Sequence, residues 1–197
     1  MAESDRERWN LRYSERRAAR PMRWEPTRWL PEIAAELQPP FSGARALDLA
    51  CGPGRNAVWL AEQGWTVDAW DISDVALGML RHEVEDRAAQ GRPLTVRPQV
   101  VDLDAATIPP DTYDLIANLL FLDRRLWPQM AAALRPGGLL VFETFVELPH
   151  GRRSEVSPAH LLAPGELRAA FETLGLATRT YAEDDERGTA RLLAQRL

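Results

Sequence analysis

The chain predicts an α/β fold built on a doubly wound, mostly parallel sheet, and three observations predict it. Apolar strand-like runs alternate with helical runs through the centre of the sequence, as a parallel sheet requires. The stretch 45–57, RALDLACGPGRNA, carries one such strand into a glycine turn that opens a helix. The tail differs: Leu176 to Ala182 and Ala190 to Leu197 read as strands around the polar link Glu183 to Gly188, a closing antiparallel hairpin. With five strands before it, the hairpin brings the sheet to seven.

Taken in order, residues 4–18 predict a helix, since Ser4-x-x-Glu7 makes a capping box and no Gly or Pro follows it. Trp9 and Tyr13 then share one face, where they either dock the helix or form a flap over a pocket. Trp24 and Trp29 lie in a Pro-interrupted stretch before a short helix from about Pro31 to Leu37. Strands follow near 45–49, 66–71, 95–101, 113–117 and 139–145, with helices near 55–63, 74–90, 124–134 and 164–174. Ser73 is placed to cap the helix after it, and Arg135-Pro136-Gly137-Gly138 to end the helix before it. Right-handed crossovers bring all strand C-terminal ends to one edge. Asp48, Asp71, Asp102 and Asn118 would then converge on a single crevice, although they come from four separate segments.

A chain of 197 residues suffices for one domain with a full core. We expect a single domain over 1–197, with 1–38 as a helical flap and 39–197 as the α/β core. No apolar run approaches the roughly 20 residues that cross a bilayer, and MAESDRERW is unlike a signal peptide. A cytoplasmic protein with no membrane partner is expected, as a monomer or homodimer. The one cysteine, Cys51, has no partner for an intramolecular disulfide. All 24 basic residues are Arg, which excludes a Schiff-base or phosphate-loop lysine. A net charge of −5 gives no general pull toward nucleic acid, so that partner is disfavoured. The exception is local, because Arg6 to Arg28 carries eight Arg against three acids.

Gly52 and Gly54 remove the Cβ atoms that would hold a ligand off the turn, and Pro53 stiffens it. The helix that follows aims its N-terminal NH groups at the same place, a setting for polar or anionic groups held on the backbone. Gly52-x-Gly54-x-x-Ala57 also satisfies the dinucleotide fingerprint, so the glycines alone leave two cofactor classes open. Asp48 discriminates between them. A carboxylate at the mouth of the first strand is awkward beside a pyrophosphate and suits a sulfonium and an ammonium group, unless it merely caps a loop.

Four stretches carry a family likeness: DLACGPGRNAVWLAEQGWTVDAWDIS at 48–73, VVDLD at 100–104, YDLIANLLFLDR at 113–124 and LRPGGLLVFETF at 134–145. On these the chain resembles the class I S-adenosylmethionine-dependent methyltransferases, within them the tellurite-resistance and thiopurine methyltransferase-like branch, which have a Rossmann-like sheet. The resemblance implies S-adenosyl-L-methionine as cofactor. It implies that Asp71 binds the ribose hydroxyls, that Ile72 packs on the adenine, and that Asp102 meets the adenine amino group with Leu103 beside the ring. Asp48, Ala50, Gly52, Gly54 and Asn56 complete the expected cofactor set, with Asn118 beneath the methyl and Trp9 on the covering segment.

Methyl transfer from a sulfonium is an in-line displacement, so alignment supplies much of the rate and a dedicated base is optional. The candidates for catalysis are Asn118, Tyr13 and Glu143, the last an acid in an otherwise apolar strand that is either a base or structural. Arg124 either binds a substrate carboxylate or serves the local structure. The loop 146–160 is placed to select the substrate, with His150 and Arg152 as its candidate contacts. The three His show no metal-ligand spacing, and no metal is expected. Asn118-Leu119-Leu120-Phe121 lacks both the Asn/Asp-Pro-Pro-aromatic motif of base-amine methylation and a pyrimidine-attacking Cys, which favours a small-molecule acceptor. Two alternatives stay open: a non-catalytic cofactor-binding module and a nicotinamide-dependent oxidoreductase.

Overall fold

The computed structural model describes residues 2–19, 21–147 and 156–197. They form two compact units, Met1–Thr107 and Ile108–Leu197, within which lie the parts of a seven-stranded mixed sheet.

The first unit opens with helix α1 (Ala2–Ala19) and the short α2 (Trp29–Glu32), then alternates β1 (Arg45–Leu49), α3 (Arg55–Glu62), β2 (Thr66–Asp71), α4 (Asp74–Ala89) and β3 (Val96–Val100). Its strands run parallel in the order β3-β2-β1. Ala46, Leu47 and Leu49 of β1 are buried together with Val67, Ala69 and Trp70 of β2, the near-continuous burial of strands covered on both faces. β3 is half exposed and carries Pro98, whose missing NH costs nothing on an edge strand. Trp65, almost fully buried, donates its indole NH to the carbonyl of Leu37 at 2.8 Å and so ties the α2 region to the start of β2.

The second unit holds β4 (Tyr113–Leu119), α5 (Trp127–Ala133), β5 (Leu134–Phe145), α6 (Glu166–Thr173), β6 (Leu176–Asp184) and β7 (Thr189–Arg196). Its strands run in the order β4-β5-β7-β6, with β4 and β5 parallel and β7 antiparallel to both neighbours. Every residue of β4 is buried, and Phe142, Trp127 and Phe171 form an aromatic cluster between sheet and helices. The expected α/β class and the closing hairpin are both present.

Three local expectations are corrected. α1 begins at Ala2, so Ser4 lies inside the helix and the Ser4/Glu7 capping box does not start it. The second helix is one turn, Trp29–Glu32, and residues 33–36 continue as turns. Arg135-Pro136-Gly137-Gly138 lies within β5 as an irregularity, where the β4–β5 register shifts between Tyr113 and Leu115. A Cβ on Gly138 would come within 2.9 Å of the Arg135 carbonyl oxygen, so glycine is required for the chain to rejoin the sheet. The expected 124–134 helix is accordingly shorter: a 3-10 turn over Arg124–Leu126 precedes α5.

Candidate active site

Between β1 and α3 the backbone takes positive φ at every second residue: Ala50 (51°), Gly52 (56°) and Gly54 (83°). Such alternation folds successive NH groups toward one concavity, which ordinarily invites an anion. An account of those NH groups shows that the chain fills the place itself. Cys51 NH donates to the Trp70 carbonyl at 3.0 Å, Gly54 NH to the Cys51 carbonyl at 3.0 Å, and Gly52 NH to Asp71 Oδ2 at 2.7 Å. Asp48, 1% exposed, is backed by the NH of Ala57 in the first turn of α3. Pro53 has no NH to give. Three NH groups of the turn and that of Ala57 are thus used within the chain, and beside them stand two buried carboxylates, Asp48 and Asp71.

Asp71 is fixed at both oxygens, Oδ2 by Gly52 NH at 2.7 Å and Oδ1 by Ser73 NH at 2.8 Å, with the Ile72 NH also directed at the carboxylate, which leaves it capacity for one further donor. Burial raises its pKa against the lowering effect of these NH groups. Asp48 Oδ2 has no hydrogen-bond partner among the described residues. Its pKa is pushed up to about 7, first by desolvation and then by the negative charge of Asp71, against the opposing pull of Ala57 NH and Arg55. Cys51 is buried, and desolvation holds its thiol well above the ordinary range, so it is not a thiolate nucleophile.

Helix α1 covers this turn. A Cβ built on Gly52 would lie 2.7 Å from the Tyr13 hydroxyl, so the phenol rests directly on the glycine backbone. Trp9 stacks on Tyr13 with ring centroids 5.8 Å apart, and the Arg8 and Arg12 guanidinium groups lie over the indole. Burial, followed by the charge of Asp71, raises the Tyr13 pKa, so at neutral pH the phenol is a hydrogen-bond donor and not a base. Gly54 is held differently: its Cβ would meet Leu80 of α4 at 2.5–2.8 Å.

The remaining predicted residues fall into distinct settings. Asn56 is buried and its Oδ1 accepts from the Thr27 NH at 2.8 Å, which fixes the amide and leaves Nδ2 as its donor. Asp102 and Leu103 follow β3 and are half-buried, with Asp102 Oδ1 accepting from Asp104 NH at 3.0 Å. Ile72 is half-buried after β2. In the second unit, Asn118 lies fully buried near the end of β4; its Nδ2 donates to the Phe121 carbonyl at 2.7 Å, and its Oδ1 has no hydrogen-bond partner among the described residues. Glu143 is buried with Oε1 3.4 Å from Arg191 Nε across the β5–β7 pair. Arg124 is committed to Glu166 and to the carbonyls of Leu161 and Ala159, so its fork already has a structural use. His150 and Arg152 lie outside the described residues. Among the described residues, no cluster of His, Cys, Asp and Glu could hold a metal, and no helix is long and apolar enough to cross a membrane.

Sequence reasoning missed Asn10, whose side chain joins α1 to Ser73 and Asp74, and Thr27, which anchors Asn56 and Arg55. The signal for Asn10 was its spacing of three residues from Tyr13, which sets the two side by side on α1.

Residues 19–179 match the family described as Methyltransferase domain. The Ribosomal RNA small subunit methyltransferase C of Alcanivorax borkumensis is 27% identical over 125 residues, covering 62% of this chain and 38% of that one. The Ubiquinone biosynthesis O-methyltransferase of Bordetella avium is 28% identical over 180 residues, covering 81% of this chain and 70% of that one. The crystal structure of TehB from Haemophilus influenzae superposes with a TM-score of 0.68 at 23% identity, over 84% of this chain and 61% of that one. The chain thus spans well under half of the ribosomal RNA enzyme and about three fifths of the TehB chain.

Proposed function

We propose that this chain, which belongs to the S-adenosylmethionine-dependent methyltransferase family, passes the cofactor's methyl group to a small-molecule acceptor by in-line displacement. The observation that carries the cofactor assignment is the pair of buried carboxylates, Asp48 and Asp71, at the glycine turn. A pyrophosphate placed there would face two negative charges at close range. A cationic cofactor needs the carboxylates. The same observation argues against the nicotinamide alternative.

When bound, the cofactor supplies a methyl group on a sulfonium sulfur, an electrophile whose leaving group departs neutral. In this proposal Asp71 accepts from the ribose hydroxyls through the carboxylate capacity that the Gly52, Ser73 and Ile72 NH groups leave open. Asp48, whose Oδ2 is unpartnered, offsets positive charge on the ligand. Ala50, Gly52 and Gly54 shape the turn beside the cofactor, with the Cβ positions of Gly52 and Gly54 given over to Tyr13 and Leu80, Ile72 and Leu103 flank the adenine, and Asp102 accepts from its amino group. Trp9 and Tyr13 exclude water from above the turn. On the acceptor side we assign Asn118, through its unpartnered Oδ1, and Glu143; His150, Arg152 and Arg124 are the candidate substrate contacts. Tyr13 is kept as a neutral phenol and Glu143 is ion-paired, so neither is a free base, which favours an acceptor that needs little deprotonation.

A small acceptor is supported by the net charge of −5, by Asn118-Leu119-Leu120-Phe121 at the end of β4, and by the long match to a relative named for O-methylation in ubiquinone biosynthesis. A cytoplasmic monomer or homodimer belongs to the same proposal. The test has two stages. Calorimetric titration should show micromolar binding of S-adenosylhomocysteine, none of the reduced nicotinamide dinucleotide, and loss of the former in Asp71→Ala. Tritiated S-adenosylmethionine is then incubated with the protein and either a cell extract filtered to small molecules or purified ribosomal RNA. Label in the small-molecule fraction supports the proposal, and label in RNA alone overturns its acceptor half.

A further inference from the structure

We infer that Asn10 is a positioning residue that couples the ribose-side carboxylate to the covering helix, so that ligand binding at Asp71 and the seating of Tyr13 on the glycine turn are one event. The inference rests on Asp71 being the ribose-binding group of the proposal above. It is carried by a continuous chain of hydrogen bonds. Gly52 NH and Ser73 NH hold the two oxygens of Asp71. Ser73 Oγ accepts from Ala76 NH at 3.1 Å, capping α4, and donates to Asn10 Oδ1 at 2.6 Å. The same Oδ1 accepts from Val75 NH at 3.4 Å, while Asn10 Nδ2 donates to Asp74 Oδ1 at 2.7 Å.

One amide side chain therefore satisfies a hydroxyl, a free NH of the first turn of α4 and a carboxylate at once. Asn is suited to this because it is both donor and acceptor. Ala lacks both functions, and Asp cannot donate to Asp74. Trp9 and Tyr13, on the same face of α1, are carried over the turn by whatever fixes Asn10. The rest of α1 contributes little to holding it, since Leu11 is 62% exposed and the arginines face solvent. Any ligand that pulls on Asp71 acts through Ser73 on the Asn10 contact, and anything that loosens Asn10 frees both the Tyr13 cover and the Ser73 cap.

The arginines give the assay, because α1 contains Arg12, Arg16 and Arg17 and the chain has no lysine. The full chain is titrated with S-adenosylhomocysteine and digested with trypsin with and without it, and cleavage within α1 is read by mass spectrometry. In the wild type the ligand should slow that cleavage. Asn10→Ala should bind roughly tenfold more weakly and lose the protection even at saturating ligand. Asn10→Asp should be impaired as well, because two carboxylates then face each other. The double variant Asn10→Asp/Asp74→Asn rebuilds the pair with donor and acceptor exchanged, and should restore affinity and protection together. Wild-type affinity and protection in Asn10→Ala would overturn the inference while leaving the function intact. A double variant no better than Asn10→Asp would also overturn it, since the loss would then reflect helix stability. A wild type that binds no S-adenosylhomocysteine would overturn the function itself and the inference with it.

Discussion

Replacing Asp48 by Asn tests whether the site is built around a carboxylate held at a cost. The folded-state pKa is pushed up to about 7 from an ordinary 3.8, with desolvation the larger cause and Asp71 the second. A raised carboxyl pKa means that the native state holds this proton more tightly than the unfolded chain does. Asp48's contribution to stability is therefore complete below pH 4, falls as pH rises from about 4 through 7, and is fully lost above. The difference between the two pKa values corresponds to roughly 4 kcal/mol against the ionised native state. Asn removes that charge but brings an amide NH2 group with no acceptor in view, costing about 1–3 kcal/mol. Asp48→Asn should then be about 1–3 kcal/mol more stable than wild type at pH 8, and this difference should shift by about 2–3 kcal/mol in favour of wild type on lowering the pH to 5. Urea unfolding of both proteins from pH 5 to 8.5 measures the difference, in which pH effects shared by the two proteins cancel. The same variant should bind S-adenosylmethionine more weakly at pH 8, with the gap closing toward pH 5.5 as wild-type Asp48 takes up its proton. A stability difference that does not change with pH would refute the reasoning, because it would mean that Asp48 does not titrate between the two states.

The two turn glycines should separate stability from ligand binding. Gly54→Ala forces a Cβ into buried Leu80 at a φ of 83°, and should cost about 2–4 kcal/mol in urea unfolding. Gly52→Ala meets only the end of the half-buried Tyr13, so it should cost about 1–2 kcal/mol while displacing the phenol and greatly weakening S-adenosylhomocysteine binding. Glu143→Gln removes one charged partner of Arg191, whose charge also reaches Asp184, and should destabilise by about 1–3 kcal/mol. Calorimetry on that variant should show cofactor affinity unchanged, with methyl transfer to the identified acceptor reduced if Glu143 touches it.

What the sequence made legible was whatever the backbone itself demands. Gly52 and Gly54 announce positive φ, and the strand-to-turn pattern around them announces an edge where Asp48 and Asp71 meet. Asp71 was identified by its place at a strand end, and the structure puts it against the very turn that the glycines build. The spending of the NH groups was not legible, because it depends on which atoms of Asp71 and Asp48 come within reach, and a spacing rule carries no such distance. Asn10 was hidden for a related reason: its partner Ser73 lies 63 residues away. Arg135-Pro136-Gly137-Gly138 has the composition of a helix stop and serves as a strand irregularity, since composition reports a turn in the chain but not whether the chain rejoins the sheet. Likewise the partner of Glu143 is fixed by the antiparallel register that sets it opposite Arg191, which only the folded sheet defines.

The costly features of the first unit collect at one turn. Ala50 stands at φ 51° where an L residue is disfavoured by roughly 1–2 kcal/mol, and two carboxylates are buried close enough for the charge of Asp71 to be felt at Asp48. Nothing about joining β1 to α3 requires this, because an apolar residue at position 48 would extend the run of Ala46, Leu47 and Leu49 without desolvating a charge. A fold tolerates such a combination when something bound repays it. A cation in reach of Asp48 would do so, by lowering the carboxyl pKa toward its ordinary value and converting the penalty at neutral pH into ligand affinity. Binding should consequently release a proton near pH 7, a quantity that calorimetry in buffers of different ionisation enthalpy reads directly, and Asp48→Asn should abolish the release. Proton release that persists in Asp48→Asn would assign the linkage to Asp71, the other carboxyl at the turn whose pKa is raised by burial.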